Sequence, residues 1–218
     1  MHVKCKRNKG MKILTFAVSI LIFTLLSVNV IQATPPPDTI MAPIKQVINI
    51  LRDPYYQKSG DKDLQWHKIR KVIRNNFDFT PFSRQTLGKY WKTFTTQQKR
   101  EFTAAYFEFL ECIYIPKLIK GYKSQKVYFD DMEVKLNTVA WIRIKIEGSP
   151  DPIFLTFNIV NHDGFWKVYD VRIDRESLSE KYRKSFWISL TKESPERLID
   201  WLKKRVKEQK RSGRCPKP

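Results

Sequence analysis

The chain is poor in the residues from which compact catalytic and metal sites are built: of its 218 residues only three are histidine, three cysteine and seven glycine. His67 falls in a helical stretch and His162 in a turn, with no clustered His, Cys or carboxylate at the short spacing that a zinc site requires. Gly88, Gly121, Gly148 and Gly164 each stand alone, so no glycine-rich loop can cradle a phosphate. A nucleophile elbow is also missing. We therefore expect no metal, no cofactor and no catalytic residue.

Carboxylates offer the one opening for acid-base chemistry, as Asp130-Asp131 or as Asp170 with Asp174. Solvation of strand ends and turns explains them more simply. Asp170, between Tyr169 and Val171 in an apolar strand, needs a partner if it is buried, and Arg183 on the following helix is the candidate. The cysteines are too few for a disulfide framework. A bridge between Cys112 and Cys215 is open but not indicated, and the simpler expectation is a small buried Cys112 and an exposed, dispensable Cys215.

The first twelve residues carry Lys4, Lys6, Arg7, Lys9 and Lys12 and no acid, and Ile13 to Val30 is almost wholly apolar. This pattern reads as a secretory signal, with cleavage after Ala33 ahead of Pro35-Pro36-Pro37. The alternative is an uncleaved anchor, since the run approaches the roughly 20 residues that span a bilayer. Thr15, Ser19, Thr24, Ser27 and Asn29 interrupt the run and favour cleavage; Cys5, upstream of it, does not suit a lipoprotein.

Loss of residues 1–33 removes five basic residues and no acidic ones, taking the net charge from +19 to +14. Such a chain suits anionic lipid or an acidic protein, and export argues against nucleic acid. Residues 34–218 form one domain by length, with a helical part over about 39–120, a sheet over about 124–174 and closing helices over about 177–210.

The helical part rests on 3.6-residue spacing. Ile40, Ile44, Val47, Ile48 and Leu51 make one amphipathic stretch that Asp53-Pro54 stops, and Leu64, Ile69, Val72 and Ile73 make a second. A short piece runs from about Pro81 to Gly88, and Thr95-x-x-Gln98 is a capping box for the longest helix, whose face carries Phe102, Tyr106, Phe109 and Ile113. Period-2 alternation follows through Val127, Phe129, Met132, Val134 and Leu136, through Ile142, Ile144 and Ile146, and through Leu155, Phe157 and Ile159, as in an antiparallel meander. Asp163-Gly164 marks a hairpin. Its second strand mixes Trp166 and Val168 with Tyr169, Val171 and Ile173, which a bulge or a two-sided strand would explain. Ser177-x-x-Glu180 then caps a helix with Leu178, Tyr182 and Phe186 on one face, and a last helix from Ser194-Pro195 ends in a Lys/Arg-rich tail.

Taken in order, Phe77-Asp78-Phe79, Ser83-Arg84, Leu87-Gly88-Lys89-Tyr90-Trp91, Thr96-x-Gln98-x-x-x-Phe102, Trp166-Lys167-Val168-Tyr169-Asp170-Val171 and Tyr182-Arg183-x-x-Phe186 resemble the MlaC family. Its members are exported phospholipid-binding proteins, also called toluene-tolerance auxiliaries of an ABC transporter. The resemblance implies an α+β fold with a curved antiparallel sheet of the nuclear-transport-factor type against helices, and an apolar pocket for acyl chains. It also implies a periplasmic monomer that meets an inner-membrane complex of MCE protein and ABC transporter and an outer-membrane lipoprotein complex. The expected lipid-lining residues are Phe102, Tyr106, Phe109, Ile142, Ile144, Leu155, Phe157, Tyr169, Val171, Tyr182 and Phe186. Arg84, Lys89, Asp170 and Arg183 are the expected headgroup or structural polar residues. The other readings are a small enzyme on a cone-shaped fold using Asp170, and a basic module that binds membranes or partners without enclosing a ligand.

Overall fold

The structure, a computed structural model, describes residues 38–135, 138–148 and 150–216. The export signal, its cleavage site and Leu136 lie outside these residues.

Helix α1 (Asp38–Arg52) ends where Asp53-Pro54 was expected to end it. The same dipeptide also starts α2 (Pro54–Ser59), which was not anticipated: the Asp53 side chain accepts from the Tyr55 N–H at 2.9 Å, and Pro54 takes the first-turn position where no N–H is needed. Helix α3 (Lys62–Asn76) is capped by Asp61, and α4 (Phe79–Leu87) by Asp78. A 3₁₀ segment (Gly88–Thr93) leads to α5 (Thr96–Gly121), whose capping box is complete: Thr95 Oγ1 accepts from Gln98 N, and Gln98 Oε1 from Thr95 N. The α3–α5 contact is fixed by the buried Glu111, which accepts from Arg70 at 3.0 Å and, through both oxygens, from Arg74 at 2.6 and 2.7 Å.

Strands β1 (Val127–Lys135), β2 (Val139–Ile146), β3 (Ile153–His162), β4 (Phe165–Ile173) and β5 (Glu176–Ser177) form one antiparallel sheet in sequence order. The β3–β4 turn has φ of 51° at Asp163 and 91° at Gly164, both positive as a two-residue hairpin of primed type requires. The mixed pattern of β4 has a local cause: Asn158 pairs with Asp170 but Ile159 with Val168, so Tyr169 is the extra residue of a bulge. A second register shift leaves Asp130 unpaired on β1. The free edge of β4 is partly covered, since Phe77 bridges Val168, Asp78 N donates to Val168 O at 2.7 Å, and β5 pairs with Arg172 and Ile173. Among the described residues no strand pairs with the outer edge of β1.

Helices α6 (Leu178–Leu190) and α7 (Pro195–Arg211) close the domain. Helix α7 runs beside α5 in the same direction, as successive contacts show: Gln98 with Glu196, Glu101 with Lys203 at 2.9 Å, Glu108 with Lys210 at 2.6 Å. The series ends in a disulfide between Cys112 and Cys215. This corrects the expectation of an exposed, dispensable Cys215, which is only 1% exposed. The tail turns back after α7, with Arg214 N donating to Gln209 O, and returns the cysteine to α5.

Gly88 has φ of 53° and ψ of −121°, and a Cβ there would lie 2.6 Å from the Trp187 ring, whose Nε1 donates to Leu87 O at 2.8 Å. Gly88→Ala is expected to cost about 1–3 kcal/mol through backbone strain and overpacking. Urea unfolding followed by Trp fluorescence checks this; an unchanged midpoint would refute it.

Candidate functional site: the apolar interior

The expected lining residues fall into two groups, because sheet and helices each assemble their own hydrophobic cluster. Phe102, Tyr106, Phe109 and Phe186 belong to the helical cluster, with Tyr182 packed against it. The expected lining rings of this cluster meet edge-on or tilted: Phe102–Tyr106 at 5.3 Å, Tyr106–Phe186 at 5.1 Å and Phe109–Tyr182 at 5.7 Å between centroids. Ile142 belongs to the sheet cluster, against which Phe157 and Val171 pack; Ile144 is buried, and Leu155 and Tyr169 are half-buried. Side chains of the amphipathic helices that are not among the expected lining residues connect the two. Phe77 packs against both clusters, and α1 gives Ile40 and Ile44 to the sheet and Val47 and Leu51 to the helices.

Sequence periodicity could identify these faces but not assign them, since a stripe of rings shows that a face is buried and not against what. The hydroxyls inside stay neutral. Burial raises Tyr106 well above the ordinary phenol range, and burial together with the Tyr114 hydroxyl, 3.4 Å away, raises Tyr182. The expected lining is therefore made of rings, branched aliphatics and uncharged hydroxyls.

Asp170 is fully buried, and its partners differ from the one expected. Oδ2 accepts from Ser177 Oγ at 2.6 Å, Ser179 Oγ at 3.2 Å and Gln85 Nε2 at 3.1 Å; Oδ1 accepts from the N–H groups of Val171 at 2.9 Å and Ser179 at 3.2 Å. The carboxylate thus sits at the N-terminus of α6, where the helix dipole favours an anion. Arg183 does not pair with it. Instead Arg183 Nη2 donates to Gln85 O at 2.9 Å, so Gln85 stands between the two, bound to Asp170 by its side chain and to Arg183 by its backbone. The physical reason is local: Ser177 and Ser179 at the start of α6 supply donors to both carboxylate oxygens, and the Gln85 amide adds another. Ser177-x-Ser179 at the start of the helix is the available signal.

Of the expected headgroup residues, Lys89 and Arg183 meet over one ring, with Lys89 Nζ 5.3 Å and the Arg183 guanidinium 5.9 Å from the centre of Trp187. Arg183 Nε is buried and has no hydrogen-bond partner among the described residues. Arg84 is exposed and has no ion pair among the described residues. A groove of about 270 Å³ lies on the solvent side of the sheet, lined by Trp141, Arg143, Thr156, Asn158, Arg172, Asp174 and Arg175; it is open and polar, unlike the interior. Among the described residues no group of three or more His, Cys, Asp or Glu is placed to hold a metal ion.

Comparison with known proteins gives this geometry a family. A protein of Haemophilus influenzae, the intermembrane phospholipid transport system binding protein MlaC, is 29% identical over 142 residues, a match covering 60% of this chain and 65% of that relative. The solved phospholipid-binding protein of Ralstonia solanacearum, determined in complex with a phospholipid, superposes with a TM-score of 0.69 at 20% identity, over 79% of this chain and 97% of that one. The α+β fold with its open antiparallel sheet is therefore shared. The model of the family described as MlaC protein matches residues 42–204. The chain belongs to the MlaC family.

Proposed function

We propose that this protein is a periplasmic phospholipid carrier, which holds acyl chains between sheet and helices and moves them between an outer-membrane lipoprotein complex and an inner-membrane complex of MCE protein and ABC transporter. The observation that carries the reading is the divided interior of a chain of this family: two apolar clusters joined by Phe77 and α1. Acyl chains can enter such a seam by parting the two clusters, without taking either apart. Phe102, Tyr106, Phe109, Tyr182 and Phe186 would line it from the helices, and Ile142, Ile144, Leu155, Phe157, Tyr169 and Val171 from the sheet. Lys89 and Arg183, with Arg84 further out, would meet the headgroup phosphate. The Cys112–Cys215 disulfide fits an oxidising, exported location.

The energetics suit a carrier. Two acyl chains hold roughly 30 methylenes, whose exposure to water costs on the order of 20 kcal/mol at about 0.8 kcal/mol each. An apolar protein interior takes the place of the bilayer for those chains, and no chemical step is required. The reading of Asp170 as a catalytic base is disfavoured, because both of its oxygens are occupied by donors that tie β4 to α6 and α4.

Native mass spectrometry and solvent extraction of the purified protein should show about one glycerophospholipid per chain. Protein that is consistently empty and takes up no lipid from vesicles would overturn the reading.

A further inference from the structure

The last helix has a surface that the carrier role does not use. Between Pro195 and Cys215 the chain has eight basic residues and three acidic ones. The inward face of α7 is apolar, with Leu198, Ile199, Leu202 and Val206 buried. Some of the basic residues are engaged: Lys203 with Glu101, Lys210 with Glu108 and Arg205 with Glu208. Arg197, Lys204, Lys207 and Arg211 are exposed and have no ion pair among the described residues. Arg197, Lys204 and Arg211 recur at seven-residue spacing and Lys207 lies beside them, so all four project from the face opposite the buried one, along about 21 Å of helix. Asp200 is the acidic residue on that face that has no ion pair among the described residues.

We propose that this outward face of α7 is a docking surface for an anionic bilayer. Charge complementarity is the first argument: a straight row of four cations with one carboxylate among them keeps a net positive charge that suits the plane of headgroup phosphates, and an amphipathic basic helix is the form such surfaces take. The second is Trp201 at the margin of the row, 44% exposed, with the Arg205 guanidinium 6.0 Å from its ring centre. An amphipathic ring of this kind sits well at headgroup depth. A surface for an acidic protein would need an apolar centre inside a charged rim, and this face has charge along its centre and a single ring at its side.

Construction of the helix end adds a third argument. Helix α7 is regular to Arg211 and stapled to α5 through Cys215, which holds Lys207 and Arg211 with the other cations on a rigid element.

Co-sedimentation with vesicles tests the proposal, using phosphatidylcholine alone and phosphatidylcholine with phosphatidylglycerol. The protein should bind only the vesicles that contain phosphatidylglycerol, with affinity falling steeply as salt rises. The variant Lys204→Gln/Lys207→Gln/Arg211→Gln should lose about 100-fold in partitioning. An equally charged control, Lys120→Gln/Lys123→Gln/Lys126→Gln, should keep most of its binding, and circular dichroism should show both variants folded. Equal loss in the two variants, no preference for the anionic vesicles, or unchanged binding by the α7 variant would each overturn the proposal; so would an α7 variant that keeps vesicle binding and loses affinity for an acidic protein. Lipid held in the interior is measured separately by mass, so an empty interior would count against the carrier reading and leave the docking surface standing.

Discussion

Cys215→Ser is expected to destabilise the protein by about 2–5 kcal/mol, with a fall in thermal midpoint of roughly 5–15 °C. The disulfide joins residues 103 apart in the chain, and closing so long a loop removes much of the conformational freedom of the unfolded state. It also joins two buried sulfurs at the place where α7 packs on α5, so its loss frees the tail after Arg211 and the last turn of the helix. Calorimetry of the wild type with and without reductant, beside the variant, checks this. The variant and the reduced wild type should melt together, well below the oxidised protein. Coincidence of all three would show that the bridge contributes nothing.

Asp170→Ala is expected to cost about 3–5 kcal/mol, because it leaves the Ser179 N–H, two serine hydroxyls and the Gln85 amide without their common acceptor inside the protein. Asp170→Asn should cost less, about 2–3 kcal/mol, since one carbonyl oxygen remains to accept while the new amide group faces donors. Chemical denaturation measures both. The lipid content of the folded Asn variant should match the wild type. A variant of wild-type stability that no longer holds lipid would place Asp170 in the binding site and refute a structural role.

Local features were legible in the sequence wherever the chain decides its conformation over a few residues. The Thr95 box, the Asp163-Gly164 hairpin and the Ser177 cap each work through groups no more than four positions apart, and all three formed where expected. Helix α2 escaped because Asp53-Pro54 both stops and starts a helix, and the sequence signal for the two is the same. Contacts distant in sequence were not legible. Arg183 and Asp170 were paired by charge, but neither charge nor spacing shows that Gln85, from a helix some 85 residues upstream of Asp170, lies between them. Cys112 and Cys215 appeared unrelated for the same reason: only the course of α7 alongside α5 brings them together. The lining residues were recognised as apolar faces, while the division of those faces into two clusters depends on packing that no single stripe encodes.

The outer edge of β1, with which no strand pairs among the described residues, bears on the behaviour of the protein in concentrated solution. An unpaired strand edge is a template on which a second molecule can add its own strand and so begin an aggregate. Here the Asp130 bulge interrupts the row of backbone groups, and Arg143, bound to Asp130 and to Asp131 at 3.5 Å, holds that interruption in place. Glu133 and Lys135 put charge along the remainder of the strand. An incoming strand would meet a broken register and fixed charges, which makes edge-to-edge growth costly without any need to cover the edge.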